Sequence, residues 1–327
     1  MNKDFATGAR FFTQSLTADP LNPYLLENAM ISYLGLGDFT RAAPLATMMV
    51  EAGINSQMAH MTTNIQAAAR GDWDAVIADF EAGREIGPLV DGLTGAWALV
   101  GKGQMTAALD AFDAIIESPG LGAYGLYNKA LALAHVGDLE GADAIFSGGP
   151  ENGMRYSRRS AIAHTQILSQ LGRNADATAL LDAVFGAQTD ATLVSLRVAL
   201  AADETLSFDY VRNAKDGLSE VYLMLAQAVI GEAPDDYVLR YTRVAAYLNS
   251  DNTDAILLSA ELLDNIGQYE LSADVFRTVS ADSPAFQSAE LGRAETLRKA
   301  GKPEAAVEVL EALARDYPDM PRVHASA

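Results

Sequence analysis

Apolar positions along the chain fall at helical spacing, and the breaks between the helices recur in phase. A glycine followed two residues later by a bulky side chain occurs as GDF at Gly37, GDW at Gly71, GQM at Gly103, GDL at Gly137 and GQY at Gly267. GRN at Gly172 and GKP at Gly301 hold the same place in the phase. Successive spacings are 34, 32, 34, 35, 95 and 34 residues, and Lys3-Asp4-Phe5 fits the register 34 residues before Gly37. Glycine at such a point ends a helix in a backbone conformation that other residues adopt only at a cost.

Two further positions keep the phase. Five residues after each marker stands a small or β-branched residue: Gly8, Ala42, Val76, Ala108, Ala142, Ala177, Ser272 and Ala306. Nine residues after it stands, in most units, a large apolar one: Phe12, Phe80, Phe112, Phe146, Leu181, Phe276 and Leu310. The small residue lets two helices approach, and the large one fills the groove between them. Pro20, Pro88, Pro284 and Pro318 follow seventeen residues after their markers, and Pro119 sixteen after its own, which stops each helix before the next unit.

The phased G-x-[aromatic]-x-x-[small]-x-x-x-[Phe/Leu] core and closing proline resemble the tetratricopeptide repeat, a helix–turn–helix unit of 34 residues. The usual first-helix Trp is absent. The first-helix small position is filled by Ala96, Ala130, Ala260 and Ala294, but by Met30, Asn64 and Thr165 elsewhere. Stretches such as AFDAIIESPGLGAYGLYNKALALAHVGDLEGADAIF are similar to the longer tetratricopeptide proteins of α-proteobacteria. The resemblance implies an all-α fold, a right-handed α-solenoid of helical hairpins.

The organisation expected is a repeat array over 1–186, degenerate helical repeats over 187–250 and a second array over 251–327. The middle segment carries no marker glycine in phase; it reads as a helix near Leu193–Ala201, then two helices broken near Gly231–Pro234. SGGPENGM at Ser147–Met154 reads as a loop replacing part of a second helix. Lys3–Pro20 aligns with Gly301–Pro318, so the sequence opens on the second helix of one repeat, and RVHA at 322–325 reads as the first turn of another. An internal piece of a longer protein is the expectation from this.

Composition narrows the partners. With 23 Lys+Arg against 43 Asp+Glu, the formal net charge is −20, which repels phosphate backbones and anionic membranes and suits apolar or basic protein segments. There is no cysteine, hence no disulfide or thiolate chemistry. No apolar run reaches the roughly 18 residues that span a bilayer. His60, His135, His164 and His324 form no metal-ligand pair, and no phosphate loop or nucleophile elbow occurs. GKGQMT at Gly101–Thr106 lacks the strand and third glycine of a nucleotide loop. The basic cluster Arg155, Arg158 and Arg159 is expected to pair with the chain's own carboxylates, or else to hold an acidic segment. No cofactor, metal or active site is expected.

The resemblance further implies that first helices line a concave groove. In its phase stand Tyr24, Met58, Met61, Ile65, Leu93, Trp97, Tyr124 and Tyr127, an apolar and aromatic row suited to peptide docking. Farther along, Asp254, Glu261 and Asp264 line one unit and Glu295, Arg298 and Lys299 the next. The function expected is a non-enzymatic scaffold or adaptor that docks protein segments, in bacterial envelope or secretion assembly if it follows its relatives. The alternative is a recognition arm of a larger enzyme. The compartment stays open between periplasm and cytoplasm.

Overall fold

The computed structural model describes residues 4–149, 154–187 and 190–317. The expected turn at Pro318, the helix beginning at Arg322 and His324 lie outside the described residues, as does the 150–153 half of the expected 147–154 loop. Eighteen helices and no strand occupy the described residues. None of the helices is long and apolar enough to cross a membrane.

The marker glycines explain how these helices are cut. All seven have φ between 72° and 88°, the left-handed region where a Cβ is unfavourable. In each, the following N–H reaches back to close the preceding helix, as Asp38 N does on Tyr33 O at 2.9 Å and Asp138 N on Leu133 O at 2.9 Å. Where aspartate follows the glycine, its side chain also starts the next helix: Asp38, Asp72 and Asp138 accept from the backbone N–H of Arg41, Ala75 and Gly141. One Gly-Asp pair therefore stops one helix and caps another.

Packing divides the chain into two compact units, residues 63–221 and residues 1–62 with 222–327, the divisions falling inside two helices. The 63–221 unit holds the end of α4 (Gln57–Arg70), then α5 (Trp73–Glu81), α6 (Pro88–Gly101), α7 (Met105–Ile116) and α8 (Gly122–His135). It continues through α9 (Leu139–Gly148), α10 (Arg158–Gln170), α11 (Asn174–Phe185), α12 (Ala191–Ala201) and the first half of α13 (Ala214–Val229). The phased small residues Val76, Ala108, Ala142 and Ala177 are fully buried, as are Phe112, Phe146 and Leu181.

Residues 214–221 of α13 are not one more hairpin helix. Asp216, Leu218, Ser219, Glu220 and Val221 are all buried, so this half-helix is enclosed all round. An amphipathic surface helix shows one buried stripe; this one shows none exposed.

The other unit joins the two ends of the sequence. It holds α1 (Phe5–Ser15), α2 (Pro23–Leu36), α3 (Phe39–Glu51), the start of α4 and the end of α13. With them pack α14 (Asp235–Leu248), α15 (Thr253–Asn265), α16 (Tyr269–Phe276), α17 (Phe286–Lys299) and α18 (Pro303–Asp316). Phe5 shares one apolar core with Val238, Leu239, Ile256, Ala260, Leu263 and Phe276. Phe39 stacks on Tyr247 with ring centres 4.1 Å apart. Arg243 is buried, donates from Nε to the Gly35 carbonyl near the end of α2, and has its pKa pushed down to about 10 by burial. A cation at that end meets the negative pole of the helix. In a simple repeat array each unit touches only its neighbours; here α2 meets α14 across more than two hundred residues of sequence.

Candidate functional site

The expected docking row divides between the two units. Tyr24, on α2, is 61% exposed and meets Phe12 edge-on at 6.1 Å, with Phe11 also exposed beside Phe12. Met58 is half-buried and Met61 buried. In the 63–221 unit, Ile65, Leu93, Trp97 and Tyr127 are buried and Tyr124 is half-buried. Met61, Ile65, Leu93, Trp97 and Tyr127 are covered, so the row presents no open aromatic face at those five positions.

At Trp97 and Tyr127 the cover is α13. The Trp97 ring lies against Gly217 so closely that a Cβ there would sit 2.4 Å from the ring carbons. The indole N–H donates to Asn128 Oδ1 at 2.8 Å, and Phe112 meets the ring edge-on at 5.8 Å. Tyr127 donates its hydroxyl proton to Glu220 Oε2 at 3.1 Å; burial, then the Glu220 charge, pushes its pKa well up. Arg159 adds Nε to Glu220 Oε2 at 2.8 Å and Nη2 to Oε1. Asp216 is held by the backbone N–H and guanidinium of Arg212. The half-helix is seated by an aromatic platform, a glycine approach and a buried ion pair, the kinds of contact that seat a bound peptide.

The basic cluster resolves accordingly. Arg158 forms a forked pair with Asp190 at 2.7 and 2.9 Å, and Arg159 is engaged by Glu220. Arg155 is exposed. The GKGQMT stretch is an inter-helix turn: Gly101 ends α6, Met105 starts α7, and Lys102 pairs with Asp74.

His164 is the titratable group that sequence reading undervalued. It is buried on α10, with Nε2 at 2.7 Å from Asp143 and Nδ1 at 2.6 Å from the Tyr156 hydroxyl, stacked between Phe146 and Tyr156. Arg173 and Ser147 complete the bonds to Asp143. Burial lowers the His164 pKa, against the opposing pull of Asp143, and burial raises that of Tyr156 to about 12. A histidine whose folded pKa lies below its unfolded value gives stability that is full above the unfolded pKa, near 6.5, and lost as pH falls through that range toward the folded pKa. Melting temperature measured from pH 7 to pH 5 is expected to fall less steeply in His164→Gln than in the parent. We assign this relay a structural role: it ties α9 to α10 through Asp143, His164 and Tyr156. No group of three or more His, Asp and Glu able to hold a metal ion occurs among the described residues.

The acidic register farther along does form a cavity. Between α15 and α17, over α16, an open cavity of about 400 Å³ is lined by Leu257, Glu261, Asp264, Phe276, Gly292, Glu295, Thr296 and Lys299, with Asn265 and Ser288 at its rim. Lys299 Nζ bonds Asp264 Oδ2 at 2.6 Å, a contact that raises the lysine pKa. Arg298 forks onto Glu295 at 3.0 and 2.7 Å and holds that carboxyl below its ordinary range. Burial pushes the Glu261 carboxyl above its ordinary range, although part of the side chain remains exposed. The Glu261 charge therefore costs stability at neutral pH, a cost that fades as pH falls through the raised value.

Two tetratricopeptide-repeat family models match the sequence, over residues 93–149 and 266–326. No curated protein matches it. A chain from the solved structure of Naa15/Naa10 bound to HypK-THB is similar at 14% identity and a TM-score of 0.26, over 94% of this chain and 65% of that one, so this chain spans less than two thirds of its length. The chain carries tetratricopeptide repeats in those two stretches, and its described residues are all-helical. Repeats of this family are in general modules for protein interaction, and the two matched stretches support an interaction scaffold.

Proposed function

We propose that this chain is a non-enzymatic scaffold that holds segments of other proteins against the first helices of its repeats. The observation that carries the reading is the cavity between α15 and α17, on the helices matched in part by the second family model: its walls are first helices of successive repeats, and it stands open. The aromatic row of the 63–221 unit supports it by analogy, because there a helix is already held against the same face by Trp97 and Tyr127. Of the row itself, Tyr24, Met58 and Tyr124 keep exposed area for a partner.

A photocrosslinking amino acid placed at Ser288, on the cavity rim, tests the reading against one placed at Val307, on the exposed face of α18. The expected result is a defined protein crosslinked from Ser288 in the source cell, its contact mapping to one short segment, with no such product from Val307. Absence of any protein product at Ser288, or the same products from both positions, would overturn it.

A further inference from the structure

The cavity between α15 and α17 has an uneven charge account. Asp264 is engaged by Lys299 and Glu295 by Arg298, each at hydrogen-bond distance. Glu261 has no hydrogen bond or ion pair among the described residues, and it shares the cavity with Leu257 and the ring of Phe276. Gly292 sits close over that ring: a Cβ there would stand 2.7 Å from Phe276 Cζ. The recess thus combines an apolar surface with one uncompensated negative charge.

An aliphatic stem ending in a cation complements both features. An acidic ligand does not, because it would meet three carboxylates and two cations already engaged. We propose that this cavity receives a lysine or arginine side chain of a basic protein segment, its stem against Leu257 and Phe276 and its charge against Glu261. The proposal rests on the scaffold reading and names the partner for its open site. A segment of protein, rather than a free amine, is indicated by scale and charge. The cavity, of about 400 Å³, is open to solvent and exceeds a single lysine or arginine side chain, and a chain of net charge −20 draws in polycations more strongly than single charges.

The test uses the full chain and three probes: a fluorescein-labelled peptide of alternating Lys and Ala, the same peptide with norleucine for every Lys, and cadaverine as an unlabelled competitor. Glu261→Gln removes the charge and keeps the shape. Glu308→Gln, an exposed position on α18, makes the same change in net charge away from the cavity. Anisotropy is expected to show saturable binding of the lysine peptide to the parent, affinity within twofold in Glu308→Gln, and at least tenfold weaker binding in Glu261→Gln. The norleucine peptide should not saturate. Glu261 has no structural partner, so circular dichroism should show the Gln variant folded; Glu261→Lys, with the charge reversed, should weaken binding further.

Equal weakening in both Gln variants would reduce the effect to overall charge and overturn the proposal, as would unchanged binding in Glu261→Gln. Displacement by cadaverine at concentrations matching the peptide's own would make this a small-amine site and overturn the choice of a protein segment. Failure of the lysine peptide to bind the parent would also overturn it. That failure leaves the scaffold reading intact if Ser288 still crosslinks a protein, so the two can fail separately.

Discussion

Gly217→Val is expected to unfold the 63–221 unit, or to lower its stability by about 3 kcal/mol or more. The added side chain begins 2.4 Å from the ring of Trp97, which is fully buried and pinned by its bond to Asn128. Neither wall can give: one is a helix backbone, the other a rigid ring packed on Phe112. Denaturant titration followed by circular dichroism would read the loss. Gly217→Ala with Trp97→Leu separates this contact from general damage. If the two side chains share one space, the pair is expected to cost less than the sum of the singles, by roughly 1–3 kcal/mol. Simple additivity would mean that α13 is not seated on Trp97.

The second large effect concerns the ion pair beneath the same helix. Glu220→Ala takes the Glu220 carboxylate away from the largely buried Arg159 guanidinium and the acceptor away from the Tyr127 hydroxyl. Breaking a buried pair on one side costs about 3–5 kcal/mol, because the remaining charge stays desolvated. Arg159→Met alone should be comparably harmful, since it takes the guanidinium away from the buried Glu220 carboxylate. Arg159→Met together with Glu220→Leu is expected to recover most of the loss, apolar groups of similar volume being tolerated where a half-broken pair is not. Equal melting temperatures for the single and double variants would show that the pair contributes packing volume and not charge compensation.

The repeat itself could be read from the chain because its signal is local. Gly37, Gly71, Gly103, Gly137, Gly172, Gly267 and Gly301 each end a helix for a reason confined to a few residues, a backbone angle that disfavours a Cβ. Burial of the phased small and large residues follows from the same register. The charge pattern at Glu261, Asp264, Glu295 and Lys299 was legible for that reason too, because repeat phase alone puts those residues on facing first helices.

What phase cannot give is whether a face is free. Trp97 and Tyr127 stand at groove positions, but their cover comes from residues more than ninety places away, Gly217 and Glu220. The segment 187–250 carried a signal in its favour. A helix reading DGLSEVYL sets Asp216, Ser219 and Glu220 at i, i+3 and i+4, a polar stripe that the fold buries, and Arg159 upstream supplies a cation for Glu220. The joining of Phe5 and Gly35 with α14 left no comparable trace, because a single Arg243 and a handful of apolar residues look the same in any helical hairpin.

The enclosed half-helix also alters how a repeat array comes apart. Stacked hairpins whose contacts stop at the nearest neighbour can lose their units one at a time from an end. In the 63–221 unit, one rod of backbone touches the hairpins that carry Trp97, Tyr127 and Arg159, so each of the three opens only by giving up its contact with that same helix. Modules that resemble beads on a string are thereby converted into a single cooperative body, and the linkage that makes them so runs down the face where other arrays keep their guests.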